Sequence, residues 1–205
     1  MAKFGKERFP ATYQSHVGMG TSDLLHANSI ELTNILVENK IISNDSKIFE
    51  LGAGPARNLY YIYKALEGHN LDNLELSCND LFEKEAFQHM HKDIRKIVKF
   101  YEEDSEDMVN NNIIPNLDLF LVSDHFMHLQ YDKADNIIKG ILANWKPKHI
   151  MLREVKKEYE TPNHPRLYHN YNQFLSDYDL IHDVTSKQTN KSNNIEYFIW
   201  LLKRK

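Results

Sequence analysis

The chain holds only seven glycines in 205 residues, and two of them, Gly52 and Gly54, stand two positions apart. They sit in Ile48-Phe49-Glu50-Leu51-Gly52-Ala53-Gly54-Pro55-Ala56-Arg57-Asn58. Residues 47–51 form a short apolar run that ends at the glycines, as a buried parallel strand does. Pro55 suits the first turn of a helix, and residues 59–66 carry helical spacing. A strand that turns through two glycines straight into a helix constrains the fold more than any other feature here. Glycine permits the tight turn and a closer ligand approach than a Cβ would allow. The departing helix offers unpaired N–H groups to a polar or anionic ligand. Taken alone, a Gly-x-Gly is a weak motif, because turns without function use it too.

The rest of the chain supplies context. A helical pattern runs from Ser22-Asp23 through Leu24, Leu25, Ile30, Leu32, Ile35 and Leu36 to about Lys40. Strand patterns follow at 73–79, 96–101, 117–123 and 149–155, with helical patterns at 82–94 and 131–144. Strands alternating with helices predict a parallel sheet covered on both faces. Segment 156–170 is polar, holds Pro162 and Pro165, and reads as a loop. A short helix at 171–177 and strands at 179–185 and 195–202 close the chain, the last two suited to antiparallel pairing at a sheet edge.

Composition excludes several classes. With 41% apolar and 26% charged residues the chain is globular. Its formal charge of −4, from 25 Lys and Arg against 29 Asp and Glu, gives no general pull toward nucleic acid or anionic membranes. The single cysteine, Cys78, excludes an internal disulfide framework and a four-thiolate zinc site. No apolar run is long enough to span a bilayer, and no signal-peptide pattern opens the chain. A soluble, cytoplasmic, single-domain protein is expected.

Glu50-x-Gly52-x-Gly54-x-Ala56 after the first strand resembles the first motif of class I S-adenosylmethionine-dependent methyltransferases. The resemblance spans residues 45–155 and, more loosely, the C-terminal strands. It implies a single Rossmann-like α/β domain with a seven-stranded, mostly parallel sheet, an antiparallel C-terminal edge and helices on both faces. Residues 1–44 would form an N-terminal helical cap or lid, 45–155 the cofactor-binding core, and 156–205 the substrate-side loop and last strands. It also implies S-adenosyl-L-methionine as cofactor. Glu50 would anchor its amino end, Gly52 and Gly54 would admit its methionine and ribose portions, and Asp80 would hold the ribose hydroxyls. Glu103-Asp104-Ser105 matches the position beside the adenine, and Ser123 ends the fourth strand at the catalytic face. The segment 142–149 resembles the family's turn before the fifth strand, with Lys148 and His149 in place of its two glycines. A dinucleotide-binding Rossmann domain shares the first turn, but a third glycine two positions after Pro55-Ala56 is missing. A relic of the fold that binds nothing is the other alternative.

Ligands of such sheets bind beyond the carboxyl ends of the strands. Asp124 and His125 follow the fourth strand, and His125 is the leading candidate base because an imidazole titrates near neutrality. The plainer reading is that His125 packs or caps the following turn. Asp124 either bonds substrate, orients His125 or caps the next helix. Tyr13, His16, His128, Glu154 and Tyr168 are candidates for contact with substrate. His125-x-x-His128 is too little for a metal site, and none is expected. The Asn/Asp-Pro-Pro-Tyr/Phe motif of amino-methylating nucleic-acid enzymes is absent, and no cysteine lies near the expected methyl position. The expectation is methyl transfer to an oxygen or nitrogen of a small molecule, with nucleic acid an unlikely partner. The alternatives are the same fold acting on RNA or a protein side chain, or a noncatalytic subunit.

Overall fold

The computed structural model of the chain describes residues 23–82, 86, 88–159, 166–189 and 194–205. One seven-stranded sheet organises them, in the order β3-β2-β1-β4-β5-β7-β6. Strands β1 (Lys47–Leu51), β2 (Glu75–Asp80), β3 (Val98–Glu102), β4 (Leu119–Ser123) and β5 (His149–Val155) run parallel. Strands β6 (Tyr178–Thr189) and β7 (Asn194–Arg204) form a hairpin whose second arm pairs antiparallel with β5. Polar residues 186–189 and 194 therefore belong to the strands, which extend farther than the 179–185 and 195–202 expected from their apolar residues.

Alternation along the strands divides the core in two. Phe49, Leu51, Phe120, Val122, Ile150 and Leu152 face helices α3 (Ser105–Asn111) and α4 (Tyr131–Gly140). Ile48, Cys78, Leu119, Leu121 and Met151 face helices α1 (Asp23–Glu38) and α2 (Arg57–Ala65). Both faces of β1, β4 and β5 are buried, which is why these strands read as unbroken apolar runs. Cys78 is a free thiol at 0% exposure, a core residue as its place in β2 implies.

Helix α3 is announced by no apolar period. Asp104 caps it, its side chain accepting from the Glu106 N–H at 2.9 Å, and acidic residues fill its first turn. Helix α4 runs into a wide turn at Ile141–Trp145, which Lys146 ends in the left-handed conformation at φ 43°. Gly140 lies where α4 meets α3, and a Cβ there would stand 2.6 Å from Val109 Cγ1. The five parallel strands end at one edge, and the sequence order reverses between β1 and β4. Sheets of this kind bind ligands in the crevice at such a switch point, and here the loops after these two strands lie side by side, the His125 ring against Gly52. Among the described residues no helix is long and apolar enough to cross a membrane.

Candidate functional site

The site is built from the loops that leave β1, β2, β3 and β4. Gly52 and Gly54 take φ values of +62° and +52°, and Ala56 at φ 53° stands before α2 without a side-chain cap. Asn79 fixes this turn from the end of β2. Its Oδ1 accepts from Gly52 N–H at 3.0 Å, and its carbonyl accepts from Ala53 N–H at 3.0 Å. The Asn79 amide then donates to the Glu103 carbonyl at 3.0 Å, which joins the third loop to the first. Asp80 completes the clamp, accepting from Gly54 N–H at 2.9 Å and Leu81 N–H at 2.7 Å. Burial raises its pKa against these backbone donors.

Glu50 points under the turn at 3% exposure. Its Oε1 accepts from Asn58 Nδ2 at 2.6 Å, while Oε2 is buried without a partner. Desolvation pushes the carboxyl up to about 8, against the opposing pull of Asn58 and the Arg57 charge. Arg57, the first residue of α2, is in turn lowered by its own burial. The interior of the turn is thus a neutral carboxylic acid with one open oxygen, to which a cation would restore the charge.

After β4 the chain bends sharply, with Asp124 at φ 57°. Glu154, at 0% exposure, turns its carboxyl onto this bend. Oε1 accepts from the N–H groups of His125 and Phe126, each at 2.9 Å, and Oε2 from Met127 at 3.1 Å. Burial and the nearby Asp124 charge push it up to about 8. The carboxyl expected to meet substrate therefore organises the loop.

His125 is half-buried, and its ring lies against Gly52. A Cβ on that glycine would stand 2.1 Å from His125 Nδ1. Its Nε2 lies 2.8 Å from Ser105 Oγ. Desolvation and the Lys133 charge lower its pKa to about 4, so the imidazole is neutral at pH 7. The crevice thus brings Glu50, Gly52, Gly54, Asp80, Ser105, Asp124 and His125 together.

The remaining candidates are less concentrated. Asp104 pairs with Lys133 besides capping α3. Burial would raise its pKa, but these partners hold it below the usual range. Ser123 ends β4 opposite Arg153 in the register. His128 stands at the end of a short turn, Phe126–His128. Tyr168, at 38% exposure, sits edge-on to Tyr171 with ring centroids 5.8 Å apart. Tyr13 and His16 lie outside the described residues. Among the described residues no group of three His, Cys, Asp or Glu side chains could hold a metal.

Four residues of the site were not anticipated from sequence. Asn58, Arg57 and Asn79 surround the turn, and Arg153 on β5 forms a buried ion pair with Asp124. Arg153 and Glu154 are adjacent charges within an otherwise apolar strand, the pattern that marks them out in hindsight.

The strand order and crevice define the class I S-adenosylmethionine-dependent methyltransferase fold. Solved structures of that class match the chain over most of its length. Magnesium protoporphyrin IX methyltransferase from Synechocystis PCC 6803 with bound S-adenosylmethionine covers 100% of this chain and 86% of its own, at 10% identity and TM-score 0.59. The same enzyme with bound S-adenosylhomocysteine reaches TM-score 0.63 at 9% identity, covering 88% of this chain and 83% of its own. An S-adenosylmethionine-dependent methyltransferase from Methanosarcina mazei matches at TM-score 0.61 and 10% identity, over 82% of this chain and 96% of its own. A putative RNA methyltransferase from Pyrococcus horikoshii also matches at TM-score 0.61, with 12% identity over 87% of this chain and 84% of its own. No family model matches the sequence, and no curated protein does.

Proposed function

We propose that this chain binds S-adenosylmethionine and transfers its methyl group to an oxygen or nitrogen of a small molecule. The observation that carries the reading is the buried, unpartnered Oε2 of Glu50 beneath a glycine turn. An unsatisfied carboxyl oxygen in the interior is costly, and an ammonium group is its natural complement. Asp80 fits the ribose hydroxyls, because each carboxylate oxygen engaged by the loop retains a second lone pair. When bound, the cofactor supplies an electrophilic methyl on a sulfonium.

Around it the chain's own residues bind and orient. Glu50 holds the ammonium, Asp80 the hydroxyls, and Asp104 and Ser105 border the base-binding end. Asp124 has one buried oxygen, Oδ1, without a partner, and it would accept a proton or hydrogen bond from the incoming nucleophile. His125, neutral and joined to Ser105, holds the two loops at their working separation and keeps proton acceptance as a second capacity. A noncatalytic binding subunit is the second reading, favoured by the engagement of His125 with Ser105 and Gly52.

Calorimetry with S-adenosylmethionine tests both. Wild type should bind, and Asp80→Ala should weaken binding at least tenfold; no binding by wild type overturns the cofactor reading. Binding by wild type without turnover of any small hydroxyl or amine compound would favour the subunit.

A further inference from the structure

The geometry points to a second element of the same site, a receptor for a carboxylate on the substrate, built on Arg153. The inference rests on the methyltransfer reading for its purpose but on separate atoms for its evidence. Arg153 lies on the carboxyl-terminal half of β5, between Ser123 of β4 and Ile199 of β7, and is 0% exposed. Its Nη1 donates to Asp124 Oδ2, while Nε and Nη2 are buried without a hydrogen-bond partner. Those two nitrogens form the side-on edge of a guanidinium. There two N–H bonds point the same way and match the two oxygens of a carboxylate.

The surroundings fix that edge in place. The Arg153 guanidinium lies over the Tyr197 ring, 4.0 Å from its centroid. Arg166 Nη1 donates to the Tyr197 hydroxyl. Two guanidinium groups thus share one tyrosine, and among the described residues Asp124 is the one carboxylate ion-paired with Arg153. A buried arginine with a single acid partner and an idle bidentate edge is unfavourable unless an oxyanion completes it. Because Asp124 is common to this cluster and to the crevice, an anion held here lies beside the acceptor end of the site. A planar carboxylate suits a planar, stacked guanidinium, so the substrate class is a small carboxylic acid.

The methionine carboxylate of the cofactor has the same chemistry, and so does phosphate, and the test separates them. Benzoate, benzamide and inorganic phosphate would each be titrated by calorimetry into the full chain, with and without saturating S-adenosylhomocysteine. Benzoate should bind the saturated protein at least tenfold more tightly than benzamide and than phosphate. Arg153→Lys should weaken benzoate tenfold or more while changing S-adenosylhomocysteine affinity less than threefold. Arg166→Gln, at a half-buried position, should weaken benzoate severalfold and guards against a folding defect in the first variant. Equal binding of benzoate and benzamide, unchanged benzoate affinity in both variants, or tighter binding of phosphate would overturn the proposal. So would a tenfold loss of S-adenosylhomocysteine affinity in Arg153→Lys with no benzoate bound to saturated wild type. If S-adenosylhomocysteine fails to bind but benzoate still discriminates through Arg153, the cofactor reading falls and the carboxylate receptor stands.

Discussion

At the scale of single residues, Gly52 is required twice over. Its φ of +62° lies in the left-handed region, and the His125 ring fills the place of its missing Cβ. Gly52→Ala should cost about 3 kcal/mol, combining backbone strain with overpacking, and should lower both the urea midpoint and cofactor affinity. Glu50 carries a prediction in pH. With its carboxyl near 8, the group is protonated at pH 6 and must release a proton before it can pair with an ammonium. Affinity for S-adenosylmethionine should therefore rise from pH 6 to pH 8, by up to about tenfold per unit. Glu50→Gln should bind more weakly and lose the slope; a flat profile in wild type would remove the ion pair. The importance of Glu50 and Gly52 was legible in the sequence because strand, glycines and helix follow one another without interruption. The engagement of His125 was not, since nothing in local sequence tells that a ring after β4 will lie on a glycine after β1.

Among the elements, the bend after β4 depends on β5. Glu154 takes three consecutive N–H groups of that bend, the service a helix cap performs, but from another strand. Glu154→Gln retains one acceptor oxygen and should cost about 1–2 kcal/mol, whereas Glu154→Ala leaves all three donors unpaired and should cost about 3 kcal/mol. Urea denaturation measures both, and equal losses would show that the three bonds contribute little. The strand cores were readable from apolar runs, but their ends were not. Hairpin β6–β7 carries its pairing through Ser186–Thr189 and Asn194, where backbone bonds continue without apolar side chains. Helix α3 escaped because seven residues make too few turns for a period, although Asp104 before acidic residues is a capping signal.

For the whole molecule, the buried carboxyls set a pH dependence of stability. Glu50 and Glu154 both titrate near 8 in the folded chain, above the ordinary value of 4.5. Each therefore contributes stability that is complete below about 4.5 and is lost as pH rises through about 8. His125, lowered to about 4, acts oppositely, its contribution present above 6.5 and lost as pH falls through 4. Above pH 7 the contributions of the lowered histidines His125, His149 and His169 change little further while the two carboxyls lose theirs, so the melting temperature of the ligand-free chain should fall between pH 7 and 8. The double variant Glu50→Gln, Glu154→Gln should flatten it; an unchanged slope would place the titration elsewhere. The architecture as a whole was legible from alternation of strand and helix, because a parallel sheet with buried faces leaves few arrangements for such a pattern. What stayed hidden is the polar wiring between loops, since it joins residues about 25 positions apart. Asn79 is the junction of that wiring, bonded at once to the turn after β1 and the loop after β3. A frame tied in this way separates duties within one small protein. The rim beside β1, β2 and β3 is locked to a single shape, and variation at the far side of the crevice can retune what is accepted there without redrawing it.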